Sequence, residues 1–241
     1  MKLAATVLKC RYQAFCSGRR LFAGRSQIGK GDIGMTHLLL VRHGETLWNM
    51  ERRIQGQSNS DLSPAGLAQA EALATRLQDD PARLLVASDL CRTLRTAAPL
   101  ALRTGLRVEA HVGLRERAFG IFEGHTAPEI AQKFPHEYIG WKERDPAYVI
   151  PGGESLIELR ARVKATLTSI AGRGAERVIV VTHGGVLDVA YRIATGIADA
   201  APRAWPLLNA SINHVIIDGN QWSLGEWGDV AHLAVAGDEH V

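Results

Sequence analysis

Two short apolar runs, Leu38-Leu-Leu-Val41 and Val178-Ile-Val-Val181, each end in a histidine followed by glycine: Arg42-His43-Gly44 and Thr182-His183-Gly184. A continuous apolar run bounded by polar residues reads as a strand buried on both faces, the kind found in parallel sheets sandwiched between helices. In open α/β sheets, ligands sit in the crevice beyond the C-terminal strand ends. Both histidines stand at such ends, and the glycine after each lets backbone approach a ligand closely. If the two strands are neighbours, both imidazoles face one crevice.

The rest of the chain alternates in the same way. Strands are expected at His37–Arg42, Leu84–Ala87, Leu106–Ala110 and Arg177–Thr182. Helices are expected from Ser63-Pro64 to Asp79, over Leu90–Leu102, over Glu154–Ile170 and over Gly185–Thr195. Ser63 is a plausible N-cap with Pro64 at the first helical position. Asn213–Asp218 and Gln221–Glu226, joined by Gly219-Asn220, form an expected antiparallel hairpin. Residues 113–152 show no clear period and hold Phe119, Phe122, Phe134, Tyr138, Trp141 and Tyr148. The expected fold class is α/β: a single domain with a mainly parallel sheet and helices on both faces.

No apolar run approaches the roughly 20 residues needed to span a membrane as a helix, so no membrane partner is expected. Cys10, Cys16 and Cys91 show no CxxC spacing, which fits a reducing compartment such as the cytoplasm. The net charge of +3 is unevenly placed: residues 1–34 carry seven Lys or Arg and one acid, leaving −3 on residues 35–241. The body therefore has no basic excess to suit a nucleic acid. The segment 1–34 is expected to lie outside the core of a domain at 35–241. It reads as a mitochondrial transit peptide, a basic arm, or an upstream translation extension preceding Met35. Its Gly29-Lys-Gly31-Asp-Ile-Gly34 has the spacing of a dinucleotide fingerprint, but no strand precedes it and no helix follows.

Histidine pairs bind zinc when carboxylates or thiolates complete the set, and Glu45 and Asp188 are near in sequence. Arg42, Arg52, Arg53 and Arg92 argue for an anion instead, because guanidiniums repel a divalent cation and match phosphate oxygens in a bidentate fork. No metal and no cofactor is implied. The expected ligand is a small phosphorylated molecule; the sequence carries no signature of oligomeric state.

Six blocks, in order, now carry a resemblance. They are Leu40-Val-Arg-His-Gly-Glu-Thr46 with Trp48-Asn49; Arg53-Ile-Gln-Gly56 with Asp61-Leu-Ser-Pro-Ala-Gly66; and Ser88-Asp-Leu-Cys-Arg-Thr93 with Thr96-Ala97. The others are Glu116 with Phe119-Gly120 and Glu123-Gly124; Pro151-Gly-Gly-Glu-Ser155; and Val181-Thr-His-Gly-Gly-Val186. Over residues 36–218 the chain resembles the histidine phosphatase superfamily, which includes the cofactor-dependent phosphoglycerate mutases. The resemblance implies a phosphoglycerate mutase-like fold and a role for each matched position. His43 matches the phosphate acceptor, Arg42 and Arg92 the phosphate-gripping arginines, His183 the second histidine and Glu116 the proton donor. Asn49, Gln55, Gly56 and Gly184 match positions lining the substrate site.

Residue chemistry is consistent with those roles. Two arginines and a histidine can neutralise the oxygens of a transferring phosphoryl group, and a neutral imidazole is a competent nucleophile near pH 7. Glu116 must be protonated to expel an alkoxide, and afterwards can take a proton from the attacking water. Read without the resemblance, Glu116 is a solvated acid between Arg115 and Arg117. Arg95 reads as a surface residue one turn after Arg92. His111, His125, His136, His214, His232 and His240 have no motif context and read as structural.

Mutases of this family carry a long insertion with adjacent arginines after the acid-donor block. Here about 35 residues separate Glu116 from Pro151, and Lys142 and Arg144 are split by Glu143. That favours phosphomonoester hydrolysis through a phosphohistidine over phosphoglycerate mutase-type transfer. A non-catalytic phospho-ligand binding module is the third reading.

Overall fold

The computed structural model describes residues 34–234, all within one compact unit. The basic segment read at 1–34, with its glycine spacing, lies outside the described residues apart from Gly34. In chain order the elements are β1 (Thr36–Arg42), α1 (Leu47–Met50), α2 (Pro64–Leu77), β2 (Leu84–Ala87), α3 (Cys91–Thr104), β3 (Val108–Ala110), α4 (Ala127–Lys133), α5 (Pro135–Lys142), α6 (Leu156–Ala171), β4 (Arg177–Thr182), α7 (Gly184–Thr195), β5 (Ile212–Asp218), β6 (Gln221–Leu224) and α8 (Ala231–Ala234).

The six strands form one sheet in the order β3-β2-β4-β1-β5-β6. The first four run parallel, while β5 pairs antiparallel with both β1 and β6. The apolar runs of β1 and β4 alternate sides, as strand geometry requires. Leu38, Leu40, Val178 and Val180 pack under α6 and α7 on one face. Leu39, Val41, Ile179 and Val181 pack under α2 and α3 on the other. Burial on both faces is why neither strand shows a polar period.

Local sequence explains the helix ends. Ser63 caps α2, its hydroxyl accepting from Gly66 N–H, with Pro64 in the first turn. Ser155 and Glu158 close a capping box on α6. Residues 113–152, expected to be irregular, contain α4 and α5, two short helices broken at Phe134 before Pro135. Phe122, Ile130 and Ile150 form a small core of their own, with Phe134, Tyr138, Trp141 and Tyr148 packed around it.

The register decides the site. β1 and β4 lie side by side with Arg42 opposite Thr182, and His43 N–H donates to the Thr182 carbonyl at 3.0 Å. Residues 140 positions apart thus leave the sheet together.

Candidate active site

The imidazoles of His43 and His183 have centroids 5.3 Å apart, tilted by 60°, and both residues are buried. His43 Nδ1 lies 2.8 Å from the Gly44 carbonyl. A carbonyl only accepts, so Nδ1 carries the proton and Nε2 presents the lone pair. His183 is held the other way. Its Nδ1 accepts from Arg92 Nε–H at 3.2 Å, so Nε2 carries the proton, and that atom is buried without a partner. One ring offers an electron pair and its neighbour offers a donor.

Burial depresses the pKa of both imidazoles well below the usual histidine range, and the charges on Arg92 and Arg42 push the same way. Both are therefore neutral near pH 7, the state that the tautomer assignment requires.

Arg92, in the first turn of α3, is almost fully buried. Besides His183 it donates to the Ser58 carbonyl at 2.8 Å and the Gly56 carbonyl at 2.7 Å. Burial lowers its pKa to about 10, which leaves it charged at neutral pH. Only neutral acceptors hold it, so its charge stays available to a ligand. Arg42 donates to the Leu207 carbonyl, and its Nε is buried without a partner. Arg42 Nε and His183 Nε2 are thus two buried donors without partners, an arrangement that costs stability.

Glu116 is not the solvated acid that its flanking arginines suggest. Its two oxygens each lie 3.0 Å from Gly185 N–H, in the first turn of α7, and Oε1 also accepts from Arg117 N–H at 2.8 Å. A side chain at Gly185 would stand 2.1 Å from that oxygen. Gly44 is equally constrained, but by protein: a Cβ there would lie 2.5 Å from the Gly66 carbonyl. Its glycine serves close packing against α2 rather than access for a ligand.

Asn49 belongs to the capping box of α1 with Thr46, and its Oδ1 also lies 3.4 Å from Asn209 Nδ2, the group that donates to the His43 carbonyl. Gly56, at φ +54°, directs its carbonyl to Arg92. Gln55 is buried with its Oε1 unpartnered. Arg95 pairs with Asp61 at the surface, and Arg53 pairs with Glu51 and Glu129. Among the described residues, no cluster of three or more His, Cys, Asp or Glu could hold a metal ion, and no helix is long and apolar enough to cross a membrane.

Sequence reading assigned no role to two supports of this site. Glu123 accepts from Gln57 N–H, Ser58 N–H and hydroxyl, and Phe119 N–H, fixing the loop whose carbonyls orient Arg92. Arg162, paired with Glu154, donates to the carbonyls of Gly113, Arg115 and Glu116. A cavity of about 360 Å³ is lined by Arg42 and Gly184, the chain neighbours of the two histidines, with Glu116, Trp141, Tyr148, Arg203 and Leu207.

A family model described as the histidine phosphatase superfamily (branch 1) matches residues 38–230. The chain belongs to that superfamily. It is an enzyme of phosphoryl transfer, of a family whose general chemistry passes through phosphohistidine. It is 42% identical over 212 residues to a protein of Arabidopsis thaliana named metal-independent phosphoserine phosphatase, covering 86% of this chain and 87% of that one. It is 36% identical to phosphoglycerate mutase-like protein 4 of the same plant, over 88% of this chain and 93% of the relative. Among solved structures, a mycobacterial glucosyl-3-phosphoglycerate phosphatase superposes with a TM-score of 0.70 at 30% identity, covering 80% of this chain and 99% of that one. The expected mainly parallel α/β architecture and the family resemblance both hold.

Proposed function

We propose that the chain hydrolyses small phosphomonoesters, with His43 Nε2 as the phosphate acceptor. The observation that carries this reading is the opposed pair of tautomers on two rings 5.3 Å apart: His43 Nε2 holds a lone pair, and His183 Nε2 holds an N–H without a partner. Arg42 and Arg92 flank both rings.

The steps follow from those positions. The Nε2 lone pair of His43 attacks phosphorus, and the bond from phosphorus to the ester oxygen breaks. The electron pair goes to that oxygen, which takes a proton from Glu116. Arg42, Arg92 and His183 Nε2–H hold the three equatorial oxygens, replacing the charge that a metal supplies elsewhere. Water then attacks the phosphohistidine, Glu116 takes its proton, and phosphate leaves with His43 restored. General acid–base help of this kind contributes about 100- to 10,000-fold. The substrate-binding set is Arg42, Arg92 and Gly184, supported by Asn49, Gln55 and Gly56 from behind.

The relative named phosphoserine phosphatase supports hydrolysis. Transfer between two positions of phosphoglycerate is the second reading, supported by the name of the other plant relative. Against it, Arg144 has no arginine next to it in sequence, and it lies against the carbonyls of residues 199–201. Rapid acid-free quenching of the protein with labelled phosphomonoester tests the proposal. Label should appear as an acid-labile, base-stable adduct, accompanied by phosphate release, and be absent in His43→Ala. Binding without release would leave only a phospho-ligand module; isomerisation of monophosphoglycerate primed by 2,3-bisphosphoglycerate would establish the mutase.

A further inference from the structure

We infer, resting on the hydrolase reading above, that Asn209 and Thr96 are positioning residues for the phosphate acceptor: they pin the peptide between His43 and Gly44 and so fix which nitrogen of His43 attacks.

The tautomer of His43 is set by one hydrogen bond, from Nδ1–H to the Gly44 carbonyl at 2.8 Å. That carbonyl belongs to a glycine, whose own sterics restrain the backbone least. Its direction therefore depends on how the preceding peptide is held. The His43 carbonyl, on one edge of that peptide, accepts from Asn209 Nδ2 at 2.9 Å. The Gly44 N–H, on the other edge, donates to Thr96 Oγ1 at 3.0 Å. Thr96 is buried within α3, and its hydroxyl donates to the Arg92 carbonyl at 2.7 Å. The one hydroxyl proton is thereby used, and Oγ1 meets Gly44 as an acceptor. A peptide gripped at both its oxygen and its nitrogen does not swivel, and the Gly44 carbonyl stays within reach of Nδ1.

Asn209 is aimed by its own surroundings. The next residue, Ala210, is buried at φ +55°, a left-handed conformation that a residue with a Cβ adopts only at a cost. There its N–H reaches the Arg42 carbonyl at 3.0 Å and, less closely, the His43 carbonyl at 3.3 Å, while the Ser211 carbonyl accepts from Arg42 N–H at 3.2 Å. Residues 209–211 thus run along Arg42-His43. Asn209 Nδ2 also lies 3.4 Å from Asn49 Oδ1, which accepts from the Thr46 N–H and hydroxyl as well. A flipped Asn209 amide would set its oxygen against two acceptors, so the donor is held toward His43.

The test uses the full chain and separates speed from the number of intact sites. Single-turnover release of p-nitrophenol from p-nitrophenyl phosphate, with protein in excess, gives the rate constant of acceptor attack. Calorimetric titration with inorganic phosphate counts intact sites. Asn209→Ala removes the donor, and Asn209→Asp keeps its shape but, ionised, has no proton to give. Thr96→Val keeps the shape of threonine without the acceptor. Each should slow attack by about 10- to 100-fold, the scale a displaced reacting group costs, with the count of sites unchanged. Thr96→Ser, which keeps the hydroxyl, should stay near the parental rate. Combining Asn209→Ala with Thr96→Val should cost less than the product of the two losses, because both free one peptide. Asn209 is half-buried in a loop, so its variants decide the matter even if Thr96→Val does not fold. A parental rate constant in both Asn209 variants, or a loss that disappears once intact sites are counted, overturns the inference. If the parent releases no p-nitrophenol, the hydrolase reading fails by itself. Ring-nitrogen NMR spectra of histidine-labelled protein then decide this one: a single His43 tautomer that becomes two in Asn209→Ala supports it, and one tautomer in both proteins overturns it.

Discussion

Replacing Gly185 by alanine separates catalysis from folding. The new Cβ would stand 2.1 Å from Glu116 Oε1, where ordinary contacts begin at 3.4 Å, so the carboxylate must retreat by about 1.3 Å. Glu116 is a flexible side chain and can move without unfolding anything. Gly185 has an ordinary helical φ in the first turn of α7, where alanine is favoured over glycine by about 0.5–1 kcal/mol. The variant should therefore be as stable as the parent or slightly more so. A displacement of about 1 Å at a catalytic group can cost about 100-fold in rate. That loss should fall on alkyl phosphates, whose leaving oxygen needs a proton. It should be under about tenfold on p-nitrophenyl phosphate, whose leaving group departs without one. Steady-state kcat on the two substrates, with a urea melt, completes the experiment. Rates unchanged from the parent on both substrates, or equal losses on the two, would remove Glu116 from the role of acid.

Other outcomes can be checked as directly. Glu116→Gln should erase or shift one limb of the bell-shaped pH–rate profile, and an unchanged profile contradicts the mechanism. Arg92→Lys should lower kcat by about 100-fold or more while inorganic phosphate still binds, because a lysine cannot orient His183 and hold two carbonyls at once; near-parental turnover would contradict it. EDTA should leave the rate unchanged, and activity lost to EDTA but restored by added metal would revive a metal site. Stability should fall below about pH 6.5. His43 and His183 have depressed pKa values in the fold, so the unfolded chain takes up protons first. Each histidine adds up to about 1.4 kcal/mol of loss per pH unit. His214 and His232 are shifted the same way, so His183→Gln isolates one share, seen as a shallower dependence of the urea midpoint between pH 7 and 5.5.

What the sequence revealed follows the range of the interactions involved. β2 and β4 begin and end where their apolar runs do, because burial on both faces leaves a continuous signal. The cap at Ser63-Pro64 is a contact within four residues and was readable for that reason. α4 and α5 were not. They are seven and eight residues long, too short to establish a period, and Ile130 of α4 with Tyr138 and Trp141 of α5 pack on a private core. The partners of the site lie further apart still. Glu116 meets Gly185 across 69 residues, and Arg115-Glu116-Arg117 read locally suggests a surface acid. Asn209 reaches the His43 carbonyl across 166. For Glu116 only the motif resemblance pointed inward. The aromatics of residues 134–148 divided between two fates, Phe134 and Tyr138 packing the small core while Trp141 and Tyr148 also border the cavity.

The pairing of β1 with β4 also makes activity a counting device. A slip of one residue between them would turn one imidazole to the opposite side of the sheet, and a slip of two would carry it roughly 6.6 Å along the strand. Under the proposed mechanism neither arrangement would bring both rings to one phosphoryl group. A misaligned molecule would then be silent rather than slow, and the amplitude of a first phosphoenzyme burst would measure what fraction of a preparation has its central strands aligned.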